Sequence, residues 1–132
     1  MTVHRFQNPP TMHTPRGYTH VVEATAPGRT IYISGQVGLL ADGKIAGDFR
    51  AQAVQSLENL KSALAAAGAG LEHVVKITNY FVDMAHLPTY REVRDLYFDT
   101  KAPPASTAVQ VVKLALPDFL FEIEAIAVVP TT

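Results

Sequence analysis

The C-terminal stretch Pro103–Val129 constrains the fold most, because it combines strand-like apolar residues with two isolated acids. It reads PPASTAVQVVKLALPDFLFEIEAIAVV and predicts two strands joined by a proline-containing turn. Side chains alternate between the two faces of a strand. One face of the second strand therefore carries Phe121, Ile123, Ala125 and Ala127, and the other carries Leu120, Glu122, Glu124 and Ile126. Two acids about 7 Å apart on such a strand indicate a place where a carboxylate is needed.

Length and composition predict a single folded domain over residues 1–132. The chain has 132 residues, of which 48% are hydrophobic and 17% charged, and its formal net charge is −1. This charge provides no general attraction for nucleic acid or for an anionic membrane. The chain contains no cysteine, no signal-peptide-like start and no apolar run of membrane-spanning length. We therefore expect a cytoplasmic protein without nucleic-acid or membrane partners.

Hydrophobic periodicity and turn residues predict the remaining elements in chain order. They are an extended N-terminal arm over 1–17, strands Tyr18–Ala24 and Thr30–Gly38 joined as a hairpin, a helix capped by Asp48 and running to Ala67, strand His73–Val82 and helix Leu87–Asp99. The order β-β-α-β-α-β-β predicts an α+β fold with two helices on one face of a mixed sheet. The opposite sheet face then needs cover, which predicts an oligomer.

Three local patterns refine this prediction. Ala53, Leu57, Leu60 and Leu64 recur at helical spacing and predict the inward face of the first helix, whereas Gln52 and Asn59 are assigned to its other faces. The predicted inward face of the second helix consists of Tyr90, Val93, Leu96 and Tyr97. Arg91 and Arg94 are assigned to its outer side. The near-continuous apolar character of His73–Val82 predicts burial on both faces.

Most familiar catalytic and binding motifs are absent from the sequence. There is no Gly-rich phosphate loop, no G-x-S-x-G elbow and no H-E-x-x-H helix. The five histidines have no metal-ligand spacing, so we predict no metal site and interpret His4 and His13 as solvated residues of the arm. Gly35, inside a strand, indicates either a structural bulge or a close approach of ligand.

Four segments resemble the Rid family, also called YjgF or reactive intermediate deaminases. They occur in the family's order, and the match runs from about Tyr18 to Val129. They are SGQ at 34–36, QSLENLKSALAAAG at 55–68, VVKITNYFVD at 74–83 and EIEAIAVV at 122–129. The resemblance implies a chorismate-mutase-like fold and a homotrimer with small-molecule clefts between neighbouring subunits. It also implies hydrolysis of amino-acid-derived enamines and imines to a 2-keto acid and ammonia, without a metal or organic cofactor.

The resemblance assigns roles to matching positions. Tyr18 matches a tyrosine that lines the cleft, and Gly35 matches a glycine whose backbone approaches the ligand. Glu122 matches the glutamate that positions or deprotonates the attacking water. Glu124 matches an acid with a less direct role, and we assign it to structural pairing.

The chain departs from the family pattern at the start of the penultimate strand. Deaminase members resemble P-A-R-S-C-V there, whereas this chain has Pro104-Ala105-Ser106-Thr107-Ala108-Val109. Ser106 thus replaces the arginine that grips the substrate carboxylate, and a serine cannot form its two charge-assisted bonds. Arg91 replaces a helix asparagine.

Two functions remain open from the sequence. In the first, the chain is a deaminase of an enamine or imine other than the typical amino-acid-derived one. In this function Glu122 activates water. The substrate is either neutral or differently charged and bound by Ser106 and Thr107, or it is held by a positive charge that Arg16 or Arg91 supplies from another position. In the second, it is a non-catalytic trimer that binds a small metabolite. RNA cleavage, an activity of some relatives, is disfavoured by the near-neutral charge.

Overall fold

The computed structural model describes residues 4–131, which form six strands and two α-helices. In chain order these are β1 His4–Gln7, β2 Val21–Ala24, β3 Gly28–Val37, α1 Phe49–Ala66, β4 Val74–Phe81, α2 Leu87–Tyr97, β5 Ala105–Gln110 and β6 Phe121–Pro130. Both predicted helices are present, with α2 ending two residues early. In the described part of the chain, no helix is both long and apolar enough to cross a membrane.

The main sheet is mixed and has the strand order β3-β6-β4-β5. β6 pairs antiparallel with β3 and β4, while β5 pairs parallel with β4. The two C-terminal strands are therefore not neighbours, because β4 lies between them. This places β3 and β5 at opposite edges of the sheet.

The predicted hairpin of the first two strands is wrong. β2 pairs antiparallel with β1, a strand inside the region expected to be only an extended arm, and the two form a separate two-stranded sheet. β2 also begins at Val21, so Tyr18 lies in an irregular segment. β3 pairs with β6 from its first residue, because the long apolar β6 offers a better partner than the short, mostly exposed β2.

One face of the main sheet packs against both helices to form the core. The predicted stripe of α1 is confirmed: Ala53, Leu57, Leu60 and Leu64 are fully buried. They pack on the alternate residues of β4 and β6 that point the same way, including Ile77, Phe81, Phe121, Ile123 and Ala125. Phe49, Phe81, Tyr90 and Phe121 form an aromatic cluster between the helices and the sheet.

Helix α2 is rotated from the predicted orientation. Tyr90 and Val93 are buried as expected, but Leu96 is 72% exposed and Arg94 only 8% exposed. The sequence assigned Leu96 inward and Arg94 outward, and both assignments are wrong. The spacing of apolar residues did not reveal that the guanidinium of Arg94 packs against Gly17 of the N-terminal segment.

The second face of the main sheet is open in the single chain. β4 alternates between buried and half-buried residues, so the prediction that both its faces are buried is wrong for one chain. The open face carries Tyr32, which is 76% exposed, together with Glu122, Glu124, Ile126 and Val128. The face combines these apolar groups and two acids with Lys76, Thr78 and Tyr80 of β4.

Candidate functional site

Glu122 lies against Gly35 on the open face of the main sheet. Alternation along β6 sends Phe121 and Ile123 into the core and Glu122 to the opposite side. The register of β3 shifts between Ile33 and Gln36, which confirms a bulge around Gly35. A Cβ atom added at Gly35 would lie 1.7 Å from Oε2 of Glu122. Only glycine leaves room for the carboxylate in this position.

Two side-chain amides of α1, one buried (Gln52) and one partly buried (Asn59), hold the strand ends that carry this pair. Gln52 Nε2 donates to the carbonyl oxygen of Asp118 at 3.0 Å, and its Oε1 accepts from the backbone nitrogen of Leu120 at 2.9 Å. Asn59 Nδ2 donates to the carbonyls of Val37 and Leu39 at 3.0 and 2.9 Å. The sequence prediction missed both roles, and the placement of Gln52 off the inner face is wrong. A short-range pattern cannot indicate partners more than 20 residues away.

The Glu122 carboxyl is electrostatically distinct from an ordinary surface acid. Partial burial raises its pKa, and the negative charge of Glu124 raises that pKa further. Within residues 4–131, no side-chain hydrogen bond or ion pair holds the Glu122 carboxylate. A half-buried, unheld carboxylate with a raised pKa is suited to accept a proton from water.

Glu124 is held by Tyr80, whose hydroxyl donates a short hydrogen bond to Oε1 of Glu124. This bond and partial desolvation raise the pKa of Tyr80, and the charges of Glu124 and Glu122 add to the effect. Glu124 also lines a cavity of about 170 Å³ with Tyr32, Ile33, Lys76, Thr78, Ala125 and Ile126. The geometry agrees with the assignment of Glu124 to pairing.

Ser106 and Thr107 point to opposite faces of β5. Ser106 Oγ accepts a hydrogen bond from Asn79 Nδ2 at 3.0 Å on the helix side of the sheet. Asn79 is fully buried and also accepts a short bond from the hydroxyl of Tyr90. Thr107 Oγ1 accepts from Lys76 Nζ at 2.6 Å on the open side. The two residues therefore do not act as one polar pair.

Tyr18 lies in a cluster with His13 and His20. Its hydroxyl is 2.8 Å from His13 Nε2, and its ring packs edge-on against His20. The solvated interpretation of His13 is incomplete, since it has this partner. His4 is buried, with both ring nitrogens lacking a hydrogen-bond partner among the described residues, so its solvated interpretation is wrong.

The segment carrying Tyr18 is attached to the start of β5. Thr19 donates from its backbone nitrogen to the carbonyl of Pro104 at 3.2 Å and from Oγ1 to that of Pro103 at 2.5 Å. The Tyr18 segment and Ser106 therefore lie at the same edge of the molecule.

Arg91 lines a pocket of about 360 Å³ between α2 and the N-terminal segment. The other lining residues are Arg16, Gly17, Arg94, Asp95 and Thr100. The structure thus brings together the two arginines that the sequence singled out and adds Arg94, which the sequence placed on the outer side of the helix. In the part of the chain described here, no group of three or more His, Cys, Asp and Glu residues is arranged to hold a metal ion.

The predicted site residues fall into two groups at opposite edges of the sheet. Gly35 is on β3 beside Glu122, whereas Ser106, Tyr18 and Arg91 lie toward β5. Three strand spacings separate the edge strands, about 14 Å in all. One chain therefore does not bring all the predicted residues around one small ligand.

Comparison with known proteins identifies the family. The family model described as Endoribonuclease L-PSP matches residues 11–129. A 2-iminobutanoate/2-iminopropanoate deaminase of Mus musculus is 43% identical over 108 residues, which cover 80% of this chain and 78% of that protein.

Two solved structures are similar over most of the chain. The first is a Rid family protein of unknown function, YyfB from Yersinia pestis. It has a TM-score of 0.88 and 38% identity, and the match covers 97% of this chain and 100% of that one. The second is E. coli TdcF with bound serine, with a TM-score of 0.70, 34% identity, and coverage of 89% and 90%. The chain therefore belongs to the Ribonuc_L-PSP family, which comprises the YjgF, RutC and Rid proteins.

Proposed function

We propose that this protein is a cofactor-independent deaminase that hydrolyses the C=N bond of a small imine, or of an enamine after its tautomerisation. The observation that carries this proposal is the Glu122 carboxylate, which lies against Gly35 with its pKa raised by burial and by Glu124. The mouse relative, which shares 43% of aligned residues, is named as a 2-iminobutanoate/2-iminopropanoate deaminase, and this supports the same reaction class.

In the proposed mechanism, Glu122 accepts a proton from a water molecule as the water oxygen bonds to the imine carbon. The C=N double bond becomes a single bond, and its nitrogen takes the proton, which gives a carbinolamine. Glu122 then accepts the hydroxyl proton and passes it to the nitrogen, which returns Glu122 to its carboxylate form. The C–N bond breaks, which releases a carbonyl product and ammonia. General base catalysis of this kind typically contributes about 10²–10⁴-fold.

We further propose that the complete site forms between neighbouring chains of a homotrimer with a chorismate-mutase-like fold. Two features support this. Glu122 on β6 is two strand spacings, about 10 Å, from the Ser106 strand β5 and on the opposite sheet face from the Ser106 hydroxyl, and the sheet face around Glu122 is open. A second copy that covers this face can bring its own Ser106 edge to Glu122. The bound serine of TdcF supports a ligand of amino-acid size.

We further expect the substrate to differ from that of relatives that carry an arginine at the position of Ser106. Ser106 offers one hydroxyl, and its oxygen already accepts from Asn79. We therefore do not expect a substrate carboxylate to be held by residue 106. This observation also favours the second function, a trimer that binds a metabolite without turning it over. Although the family model is described as an endoribonuclease, the net charge of −1 gives RNA no general attraction.

The test follows carbonyl product and ammonia from freshly generated 2-aminoacrylate and from a carboxylate-free imine. We expect the wild-type protein to accelerate at least one of these above its spontaneous hydrolysis. Glu122→Gln should lower that acceleration by about 10²–10⁴-fold. Gly35→Ala should lower it as well, because the new Cβ displaces the carboxylate.

Gly47→Ala is the matched control, since a Cβ at Gly47 would meet only Ala51, at 4.0 Å. It should retain wild-type activity. Equal rates for the wild type and Glu122→Gln on both substrates would exclude the proposed reaction. Stabilisation by a compound that is not consumed would then identify a binding protein.

A further inference from the structure

The pocket between α2 and the N-terminal segment concentrates positive charge. Arg91 and Arg94 are three residues apart on α2, so they are near neighbours on one side of the helix. Arg16 reaches the same pocket from the N-terminal segment. The pocket lining also contains one acid, Asp95, so three guanidinium groups exceed the acidic charge by two.

Arg94 is placed in this pocket by specific packing. It is only 8% exposed, and its Nε donates to Oδ1 of Asp95 at 3.0 Å. A Cβ at Gly17 would lie 2.0 Å from Nη2 and 2.4 Å from Cζ of Arg94. Gly17 also has φ of +78°, a conformation that favours glycine. The glycine therefore lets the guanidinium lie directly on the backbone of the N-terminal segment.

The terminal nitrogens of these arginines are left with donor capacity. A guanidinium has five N–H groups, and the hydrogen bonds found within residues 4–131 satisfy only the Nε donor of Arg94. Arg16 and Arg91 form no ion pair with any residue of the described chain, and the neighbouring acid Glu92 pairs with Arg50. Clustered like charges repel one another, so an anion bound here would stabilise the arrangement.

We infer that the pocket formed by Arg16, Arg91 and Arg94 binds the carboxylate group of a small organic acid. Guanidinium groups match a carboxylate through paired, charge-assisted hydrogen bonds. The volume of about 360 Å³ lies within the range of small-molecule pockets. Thr100, whose side chain carries a hydroxyl group, also lines the pocket.

The pocket adjoins the edge at which Ser106 lies. Tyr90 is one helical turn before Arg94, and its hydroxyl donates to Asn79, which in turn donates to Ser106. The backbone beside Arg16 is attached to Pro103 and Pro104 through Thr19. The arginines of α2 and of the N-terminal segment thus supply positive charge at the edge where Ser106 stands in place of an arginine. The carboxylate binding stands by itself, whereas its identity as the substrate carboxylate rests on the proposed function.

Isothermal titration calorimetry with pyruvate, pyruvamide and inorganic phosphate tests the inference. We expect the wild-type protein to bind pyruvate, more weakly at high salt, and to bind the uncharged pyruvamide at least tenfold more weakly. Arg91→Ala and Arg16→Ala should each weaken pyruvate binding by about tenfold or more, since charge-assisted bonds contribute about 1.5–3 kcal/mol. Arg94→Lys keeps the charge but loses the planar fork, and should also weaken binding.

Arg29→Ala is the matched control, because it removes the same charge from β3, where Arg29 donates to Ala67. It should bind pyruvate like the wild type. Equal pyruvate affinity in the wild type and Arg91→Ala, or binding of phosphate but not pyruvate, would overturn the inference. Glu122→Gln separates the two proposals, because it should lose turnover yet still bind pyruvate. If the wild-type protein hydrolyses a neutral imine but does not bind pyruvate, the carboxylate pocket is rejected and the proposed deaminase function stands.

Discussion

Glu122 and Glu124 are chemically identical side chains two residues apart, yet their surroundings give them different capacities. Tyr80 donates to Glu124 and holds it, whereas Glu122 lies on a bare glycine and faces the negative charge of its neighbour. Burial and repulsion both oppose the ionised form of Glu122, so they raise its pKa in the folded protein. The raised pKa of Glu122 is measurable as a dependence of stability on pH.

Replacement of Glu122 by glutamine should stabilise the protein at pH 7. The raised pKa means that the folded state binds this proton more tightly than the unfolded state does. Stability is therefore lost as the pH rises from the unfolded-state pKa through the folded-state pKa. Glutamine resembles the protonated acid and avoids that loss. Chemical denaturation at several pH values checks this, and the advantage should vanish at a pH below both pKa values. A variant no more stable than the wild type at pH 7 would contradict it.

At the scale of elements, the sheet and helices position the candidate site through a small number of polar clamps. Gln52 and Asn59 reach from α1 to the ends of β6 and β3, next to Glu122 and Gly35. Helix α1 is therefore the support of the site, and its own start matters. Asp48 caps this start by accepting a hydrogen bond from the backbone nitrogen of Ala51 at 3.0 Å.

Asp48→Ala should lower the free energy of unfolding by about 0.5–2 kcal/mol, because it removes an N-cap acceptor. Asp48→Asn is the matched variant that keeps an acceptor oxygen, and it should retain most of the stability. Urea denaturation followed by circular dichroism measures both. If alanine and asparagine had equal effects, the cap would contribute no measurable stability.

At the scale of the whole molecule, the fold buries one face of the main sheet and leaves the other face open in the single chain. The open face is rich in apolar groups, and Tyr32 projects from it with 76% of its surface exposed. Large exposed apolar patches of this kind mark interaction surfaces. This is the face on which Glu122 lies, so assembly and the proposed chemistry are expected to depend on each other.

Tyr32→Asp should separate the proposed trimer into monomers without unfolding the chain, because Tyr32 is outside the core. Light scattering after gel filtration should give three times the 14.3 kDa chain mass for the wild type and a single chain mass for the variant. Leu96→Asp is a matched control, since Leu96 is 72% exposed but lies on α2. It should remain trimeric. A monomeric wild-type protein would contradict the proposed assembly.

Local pattern was sufficient for much of this molecule. Alternation in β6, helical spacing in α1 and the capping residue Asp48 predicted those elements, the buried stripe and the two acids on one face. It also marked Gly35 as either a bulge or a close approach of backbone or ligand, and the register shift between Ile33 and Gln36 shows the bulge. These features depend on the geometry of a few consecutive residues, which the sequence displays directly.

Strand partners and side-chain partners required the tertiary structure. β3 pairs with β6, which is more than 80 residues away along the chain. The turn at Pro27 had suggested that β2 pairs with β3, but β2 pairs with β1 instead. Arg94 was assigned to the outer side from spacing, yet Gly17 and Asp95 give it a buried position. The sequence by itself determined which residues alternate, cap and bend, because those properties are local. Only the tertiary structure decided that Glu122 lies on Gly35 and that three arginines share a pocket, because such contacts depend on segments that are distant along the chain.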